Sequence, residues 1–230
     1  MIPNTAVVAN RQADPADPAD PDFFPTPPWG ARAGAELVKR LDPRARSVWE
    51  PACGAGHMVH GLKDYFPRLV ASDAYAYDGN AICDFLDPAE SYPGMVDWVI
   101  TNPPFKLAQP FVRRAWSVAS RGVAMLLRVG FLESAGRYGL LYGGDPGLTL
   151  WSPFIERLPM TEGRWEPDAS SATFYAWFFW LKPQLRPERF MARIGGELRP
   201  GTEPIPPGTE TRLTHPDDAR LFGAVDRSRT

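Results

Sequence analysis

Apolar positions between residues 47 and 127 fall in short blocks separated by turn residues, and the blocks alternate between two periods. Ser47-Val48-Trp49-Glu50, Leu69-Val70-Ala71-Ser72, Ala81-Ile82-Cys83, Asp97-Trp98-Val99-Ile100-Thr101 and Val123-Ala124-Met125-Leu126-Leu127 have the lengths expected of strands, and all but the third are rich in large or branched apolar side chains. Between them, His57 to Phe66 and Leu107 to Ala119 predict helices, the second started or kinked by Pro110. Such repetition predicts an α/β fold with a mostly parallel sheet and crossover helices. The continuous apolar run of the fifth strand predicts burial on both faces. A further helix is expected from Phe131 to Leu141, then strands at Phe154 to Leu158 and Thr173 to Leu181, joined by a loop longer than most hairpin connections. At the front, order is expected to begin at Phe23-Phe24-Pro25-Thr26-Pro27-Pro28-Trp29. There Thr26 suits an N-cap and Pro27 the first helical position, with Leu37, Val38 and Leu41 facing the core.

The two ends lack any such period. Asp14 to Asp22 repeats Asp-Pro-Ala, so proline blocks pairing and aspartates repel, and residues 1–22 are expected to be a disordered tail. Beyond Leu181 the chain turns rich in proline, glycine and charge, and residues 183–230 read as an extended or partly disordered tail. One catalytic domain, 23–182, lies between. The 230 residues, 44% hydrophobic, suffice for one core. No apolar run approaches the roughly 20 residues that span a bilayer, so a soluble, cytoplasmic protein is expected. Cys53 and Cys83 with 3 histidines support neither a disulfide framework nor a four-ligand zinc site, and no metal is expected.

Three strand ends carry chemistry. Glu50-Pro51-Ala52-Cys53-Gly54-Ala55-Gly56 joins a strand to a helix, as nucleotide-type cofactor loops do, although a plain tight turn fits the same residues. Val59 stands where a dinucleotide fingerprint has its third glycine, which weighs against a nicotinamide cofactor. Asp73 follows the second strand about 20 residues past the glycines, where an acid reaches ribose hydroxyls, or where it simply starts a turn. Asp84-Phe85 follows the third, placed either to hold an adenine ring or to act as a turn cap and a core residue.

Asn102-Pro103-Pro104-Phe105 follows the fourth strand at the carboxyl edge, where ligands bind in open α/β sheets. Two adjacent prolines have fixed φ and no N–H, so the loop is rigid and offers carbonyls. An aromatic amine such as adenine N6 is a poor nucleophile because its lone pair is delocalised into the ring. Accepting its two protons on the Asn102 side-chain oxygen and the Pro103 carbonyl favours a pyramidal nitrogen aimed at a methyl donor, while Phe105 stacks on a flipped base.

Taken together, these motifs resemble the class I, Rossmann-like adenine-N6 DNA methyltransferases, in particular the small phage and prophage type. The likeness runs from Phe23-Phe24-Pro25-Thr26-Pro27 through Phe131-Leu132-Glu133-Ser134 to Ser170-Ser171-Ala172-Thr173-Phe174-Tyr175-Ala176-Trp177. The resemblance implies a Rossmann-like fold with an antiparallel C-terminal strand and S-adenosylmethionine as cofactor. It further implies that Thr26 touches the methionine part, that Glu50, Ala52 and Gly54 line the pocket, that Asp73 and Ala74 meet the ribose, and that Asp84 and Phe85 hold the adenine. A large recognition domain is lacking, which implies a short or degenerate DNA target.

A formal charge of −2 and a pI near 6.0 argue against a wholly basic nucleic-acid binder, but charge is local. Between Lys106 and Arg137 six basic residues face only Glu133. Arg128 and Arg137 follow the fifth strand on the catalytic edge and are expected to contact phosphate, with Arg164 from the loop before Thr173. Arg113 and Arg114 read as a solvated helix face. RNA or protein-glutamine methylation, and a non-catalytic cofactor-binding subunit, are the competing functions.

Overall fold

A computed structural model describes residues 23–77, 79–143, 146–161, 165 and 173–222. The expected tail 1–22, and Arg164 with most of its loop, lie outside the described residues. In chain order the described elements are α1 (Pro28–Leu41), β1 (Ser47–Glu50), α2 (His57–Leu62), β2 (Arg68–Asp73), β3 (Ala81–Ile82), β4 (Val96–Thr101), α3 (Ala108–Val118) and β5 (Ala119–Arg128). They continue with α4 (Tyr138–Tyr142), β6 (Leu150–Pro153), β7 (Tyr175–Leu181), β8 (Met191–Ile194), β9 (Glu197–Thr202), α5 (Thr209–Leu213) and α6 (Asp218–Phe222). The nine strands form one sheet in the order β3-β2-β1-β4-β5-β7-β6-β9-β8. Strands β1 to β5 are parallel, and β7 runs antiparallel to β5 and β6. This is the expected Rossmann-like sheet with an antiparallel strand. The strand order reverses between β1 and β4, which opens a crevice at their carboxyl ends.

Helices cover both faces. Trp29, Leu37 and Val38 of α1, with Met58 and Leu62 of α2, pack on one face against Trp98, Trp177 and Phe179. Phe111, Val112 and Ala115 of α3 pack on the other against Val123, Phe178 and Trp180. Strand β7 therefore sends alternate aromatics into two cores, and all seven of its residues are buried. Truncating one of these aromatics to alanine would cost about 3–5 kcal/mol through lost burial and the cavity left behind. Trp177 also fixes how close α1 can lie. Its indole N–H donates to the Gly30 carbonyl at 3.0 Å, and a Cβ on Gly34 would collide with the ring.

Four expectations need correction. Helix α1 starts one residue later than expected: Pro27 is the N-cap and Pro28 holds the first position, so Thr26 caps nothing. Phe131 to Leu141 is a succession of 3-10 turns ending in α4, broken where Glu133 and Ser134 take extended backbone. The strand placed at Phe154 to Leu158 is β6, four residues earlier, in register with β7 from Leu150 opposite Phe179. Most consequentially, the segment from 183 is no simple extended tail. Strands β8 and β9 form a hairpin, β9 adds parallel to β6, and α5 and α6 return to α1. Buried Arg32 on α1 donates to Asp218 at 2.6 and 3.0 Å, to Asp64 at 2.9 Å and to the Leu213 carbonyl at 2.9 Å. Burial alone would lower the Arg32 pKa, but the two carboxylates outweigh it and raise it. No helix among the described residues is long and apolar enough to cross a membrane.

Candidate functional site

A cavity of about 890 Å³ opens at the carboxyl ends of β1, β2, β4 and β5. Its floor is set by hydrogen bonds that tie neighbouring strand ends together. Glu50, fully buried at the end of β1, accepts the Thr101 hydroxyl of β4 at 2.5 Å and the Ala52 N–H at 3.0 Å, both on Oε1. Its Oε2 is buried with no partner among the described residues. Burial, with a smaller contribution from the Asp73 charge, pushes the Glu50 carboxyl up to about 8, against the stabilising Thr101 and Ala52 bonds. A neutral acid at pH 7 is the consequence.

Asp73, at the end of β2, holds the glycine loop from the other side. Its Oδ2 accepts the Gly54 N–H at 2.8 Å and its Oδ1 the Tyr75 N–H at 3.0 Å. Burial raises its pKa, and the N–H donors of Tyr75, Gly54 and Ala74 oppose that rise. Gly54 has φ +48°, and a Cβ there would meet the Phe23 ring at 2.5 Å, so the loop needs glycine on both counts. The turn alternative for Glu50 to Gly56 and for Asp73 describes their contacts: the carboxylate orders a tight loop, and that loop lines the cavity.

Every cofactor position expected from the sequence lines this one cavity: Thr26, Glu50, Ala52, Gly54, Asp73, Ala74, Asp84 and Phe85. Thr26 is 3% exposed and its hydroxyl lacks a partner among the described residues. Asp84 is exposed and caps the Leu86 N–H at 2.9 Å, while Phe85 packs edge-on to Trp49 at 4.9 Å. Their structural roles coexist with a place on the wall.

The Asn102 loop enters from β4. Asn102 donates Nδ2 to the Phe24 carbonyl at 2.8 Å, which fixes the amide plane, and leaves Oδ1 buried without a partner among the described residues. Asn102, Pro104 and Phe105 line the cavity; Pro103 is buried behind them and is not part of the lining. The Pro104 carbonyl is taken by the Leu107 N–H at 2.9 Å. Of the two acceptors expected for an amine, one belongs to a lining residue, Asn102, and that Oδ1 is itself buried.

The arginines divide. Arg137 donates Nε to the Phe131 carbonyl and Nη2 to those of Glu133 and Gly130 and stacks on Phe131 at 4.7 Å, so it organises its own loop. Arg128 places its guanidinium 4.1 Å from the Phe105 ring centroid. Arg114, read as a solvated face, instead donates to the carbonyls of Phe85 and Glu90 at 3.3 and 2.5 Å and staples the loop beyond β3. Sequence reasoning also missed Phe23, Phe24 and His57. Phe23 covers Gly54 and sits 5.7 Å from Tyr77, and His57 lines the cavity with its pKa pushed down to about 4 by burial. The doublet of aromatics where the polar tail stops was the available signal for the first two. Cys53 is no nucleophile, because burial and the nearby carboxylates push its thiol up to about 12.

No protein-family model and no curated protein matches the sequence. Solved structures do match in fold. A protein from Pyrococcus horikoshii, provisionally described as an RNA methyltransferase, superposes with a TM-score of 0.56 at 14% identity, over 77% of this chain and 96% of that one. The methyltransferase subunit of a type I restriction-modification system from Streptococcus thermophilus gives 0.55 at 14% identity, over 86% of this chain. This chain spans about half, 53%, of that subunit. The chain shares the Rossmann-like fold of these two methyltransferase structures.

Proposed function

We propose that this protein transfers the methyl group of S-adenosylmethionine to N6 of adenine in DNA. One observation carries the proposal. Asn102 is oriented through its amino group by the Phe24 carbonyl, its amide oxygen is buried and unpartnered among the described residues, and the residue lines the cavity together with Phe105. An acceptor held ready beside an aromatic ring suits a planar ring bearing an amino group.

The cofactor fits the remaining residues. Three buried polar atoms on the wall, Thr26 Oγ1, Glu50 Oε2 and His57 Nδ1, lack partners among the described residues, and a polar, partly cationic ligand would satisfy such atoms. Glu50 and Thr26 would hold the methionine part, Asp73 and Ala74 the ribose, and Asp84 with Phe85 the adenine. S-adenosylmethionine supplies an activated methyl group on a sulfonium, so no metal is required. Asn102 Oδ1 would accept an amine N–H and return lone-pair density to nitrogen; the Pro103 carbonyl, the second acceptor of this reading, belongs to a residue outside the cavity lining. Phe105 holds the base in line. With the methyl group supplied by the cofactor, the amine nitrogen would shed one proton to water.

A target read by a few side chains would be short or degenerate, since each good base contact supplies only about 1–3 kcal/mol of discrimination. Purified protein, labelled cofactor and either duplex DNA or total RNA, digested to nucleosides and resolved by mass spectrometry, test the proposal. N6-methyldeoxyadenosine is the expected product. Label confined to RNA or to protein would overturn it.

A further inference from the structure

Arg128 stands apart from the other arginines around the sheet. Arg32 and Arg121 are paired with carboxylates, and Arg114 and Arg137 with carbonyls. Arg128 has neither among the described residues, and its Nε is buried without an acceptor. What it does have is the Phe105 ring, 4.1 Å from the guanidinium carbon to the centroid. Phe24 at 5.2 Å and Tyr175 at 6.1 Å crowd the same ring. A flat base that stacks on Phe105 needs a ring face, and a guanidinium at van der Waals distance holds one.

We propose that Arg128 closes the base pocket of the free protein and is drawn off Phe105 by a phosphate of the nucleic-acid strand, so that the pocket opens to a base only when a strand is bound. The inference rests on the adenine-methyltransferase function proposed above. Its physical basis is an exchange of partners. A cation over a ring is held weakly, whereas a guanidinium meeting a phosphate makes short, charge-assisted and often bidentate hydrogen bonds that also satisfy a buried donor. The backbone need not move. Arg128 is the last residue of β5, held opposite Tyr175 in the β5–β7 ladder, so only its side chain swings. The rim around it adds Lys106, exposed on the same cavity edge, which favours a polyanion over a neutral ligand. Free nucleosides, which bring an adenine but no phosphate, would meet a closed pocket.

The experiment measures binding of adenosine, 5′-AMP and an oligodeoxyadenylate to wild-type protein, Arg128→Ala and Arg128→Lys, the oligonucleotide across a salt series. Arg128→Ala is expected to bind adenosine at least about threefold more tightly, having lost the plug, and the oligonucleotide about tenfold more weakly, with the salt slope reduced by about one. Arg128→Lys, which keeps the charge but cannot stack as a plane, is expected to gain adenosine binding and keep the slope. Unchanged melting temperatures and cofactor affinity in both variants confirm that they are folded. Weakening of adenosine and oligonucleotide together would make Arg128 a wall of the pocket and overturn the proposal, as would no change in either. Wild-type protein that binds 5′-AMP as tightly as the oligonucleotide would show that any phosphate suffices and overturn the role of the strand. Failure here with methylation of adenine intact leaves the proposed function standing; absence of adenine methylation by the wild-type protein removes both.

Discussion

The two ends of the parallel sheet treat buried polar groups in opposite ways. At the amino end, Asp42 accepts the Trp98 indole N–H at 3.0 Å and both arms of Arg121 at 2.6 and 2.5 Å, and Asp97 accepts the N–H groups of Arg46 and Ser47. Burial would raise the Asp42 pKa, but the Arg121 and Trp98 bonds overcome it and hold the carboxyl below its ordinary value. At the carboxyl end the opposite holds. Of the eight buried side-chain atoms without partners among the described residues, five belong to the cavity wall: Thr26, Glu50, His57, Asn102 and Arg128. Each such atom costs about 1–3 kcal/mol in the empty protein. A fold that satisfies one edge and leaves the other wanting has placed its ligand demand there.

The largest expected effect separates chemistry from binding at the open edge. Asn102→Ala removes an acceptor that matters mainly as charge shifts onto the amine, so turnover is expected to fall by about a hundred- to a thousandfold while cofactor affinity stays within about twofold. Calorimetry and initial rates on the same preparation check it. Normal turnover in the variant would move the catalytic centre away from β4.

The closed edge gives the counterpart. Asp42→Ala strands Arg121 and the Trp98 indole, and because Arg121 is partly solvated the cost should sit near the lower bound for a broken buried pair, about 3 kcal/mol. A lower melting temperature with cofactor affinity unchanged is expected. Loss of affinity at constant stability would mean that the two edges are coupled.

How far the sequence carried follows the same division. The strand ends were legible because a chemistry-bearing residue placed directly after an apolar block has to lie at one edge of a parallel sheet. Glu50, Asp73 and Asn102 therefore converge on one edge from the sequence pattern alone. Thr26 owes its expected place beside the site to the resemblance alone, since the capping role its sequence suggests falls to Pro27, which at φ −51° and ψ 137° is the residue outside the helix. The C-terminal segment was illegible because β8 is mostly exposed and the hairpin gains its place through pairing of β9 with β6, a non-local event. One local signal existed there. Gly195-Gly196, both at positive φ, is a two-residue hairpin turn between Met191–Ile194 and Glu197–Thr202. Arg32 and Asp218, 186 residues apart, carry no pattern that sequence alone reveals.

Glu50 sharpens the comparison through pH. Its carboxyl, raised to about 8 in the free protein, is neutral below that pH, and a ligand bearing positive charge favours the ionised form. Binding then expels a proton at pH 7, and affinity for S-adenosylmethionine is expected to rise by up to about tenfold per unit as pH climbs towards 8, then level off. For stability the sign is reversed. The folded protein holds a proton that the unfolded chain has lost between about 4.5 and 8, so stability without cofactor falls as pH rises through that window. Glu50→Gln should flatten both profiles. Calorimetry in two buffers of different ionisation enthalpy reads the proton directly, and equal heats in both would refute the linkage.

The smallest expected effect tests whether the cavity wall is held from behind. Arg114 lies on α3, outside the cavity lining, yet its guanidinium gathers the carbonyls of Phe85, Asp87 and Glu90 and so fixes the loop that presents Asp84 and Phe85. Arg114→Ala leaves the Asn102 loop untouched and lets that segment relax, with water replacing the lost donors at the half-exposed carbonyls. The penalty is therefore a fraction of a buried charged hydrogen bond, and a loss of about threefold in cofactor affinity is expected. Turnover at saturating cofactor should not change, because a positioning residue on the adenine side acts before the methyl group moves. Arg114→Lys, with one compact charge in place of a fork, should recover only part of the loss. Titration by calorimetry alongside saturated rates distinguishes the outcomes: an equal fall in turnover would show that the loop beyond β3 also positions the reacting centre.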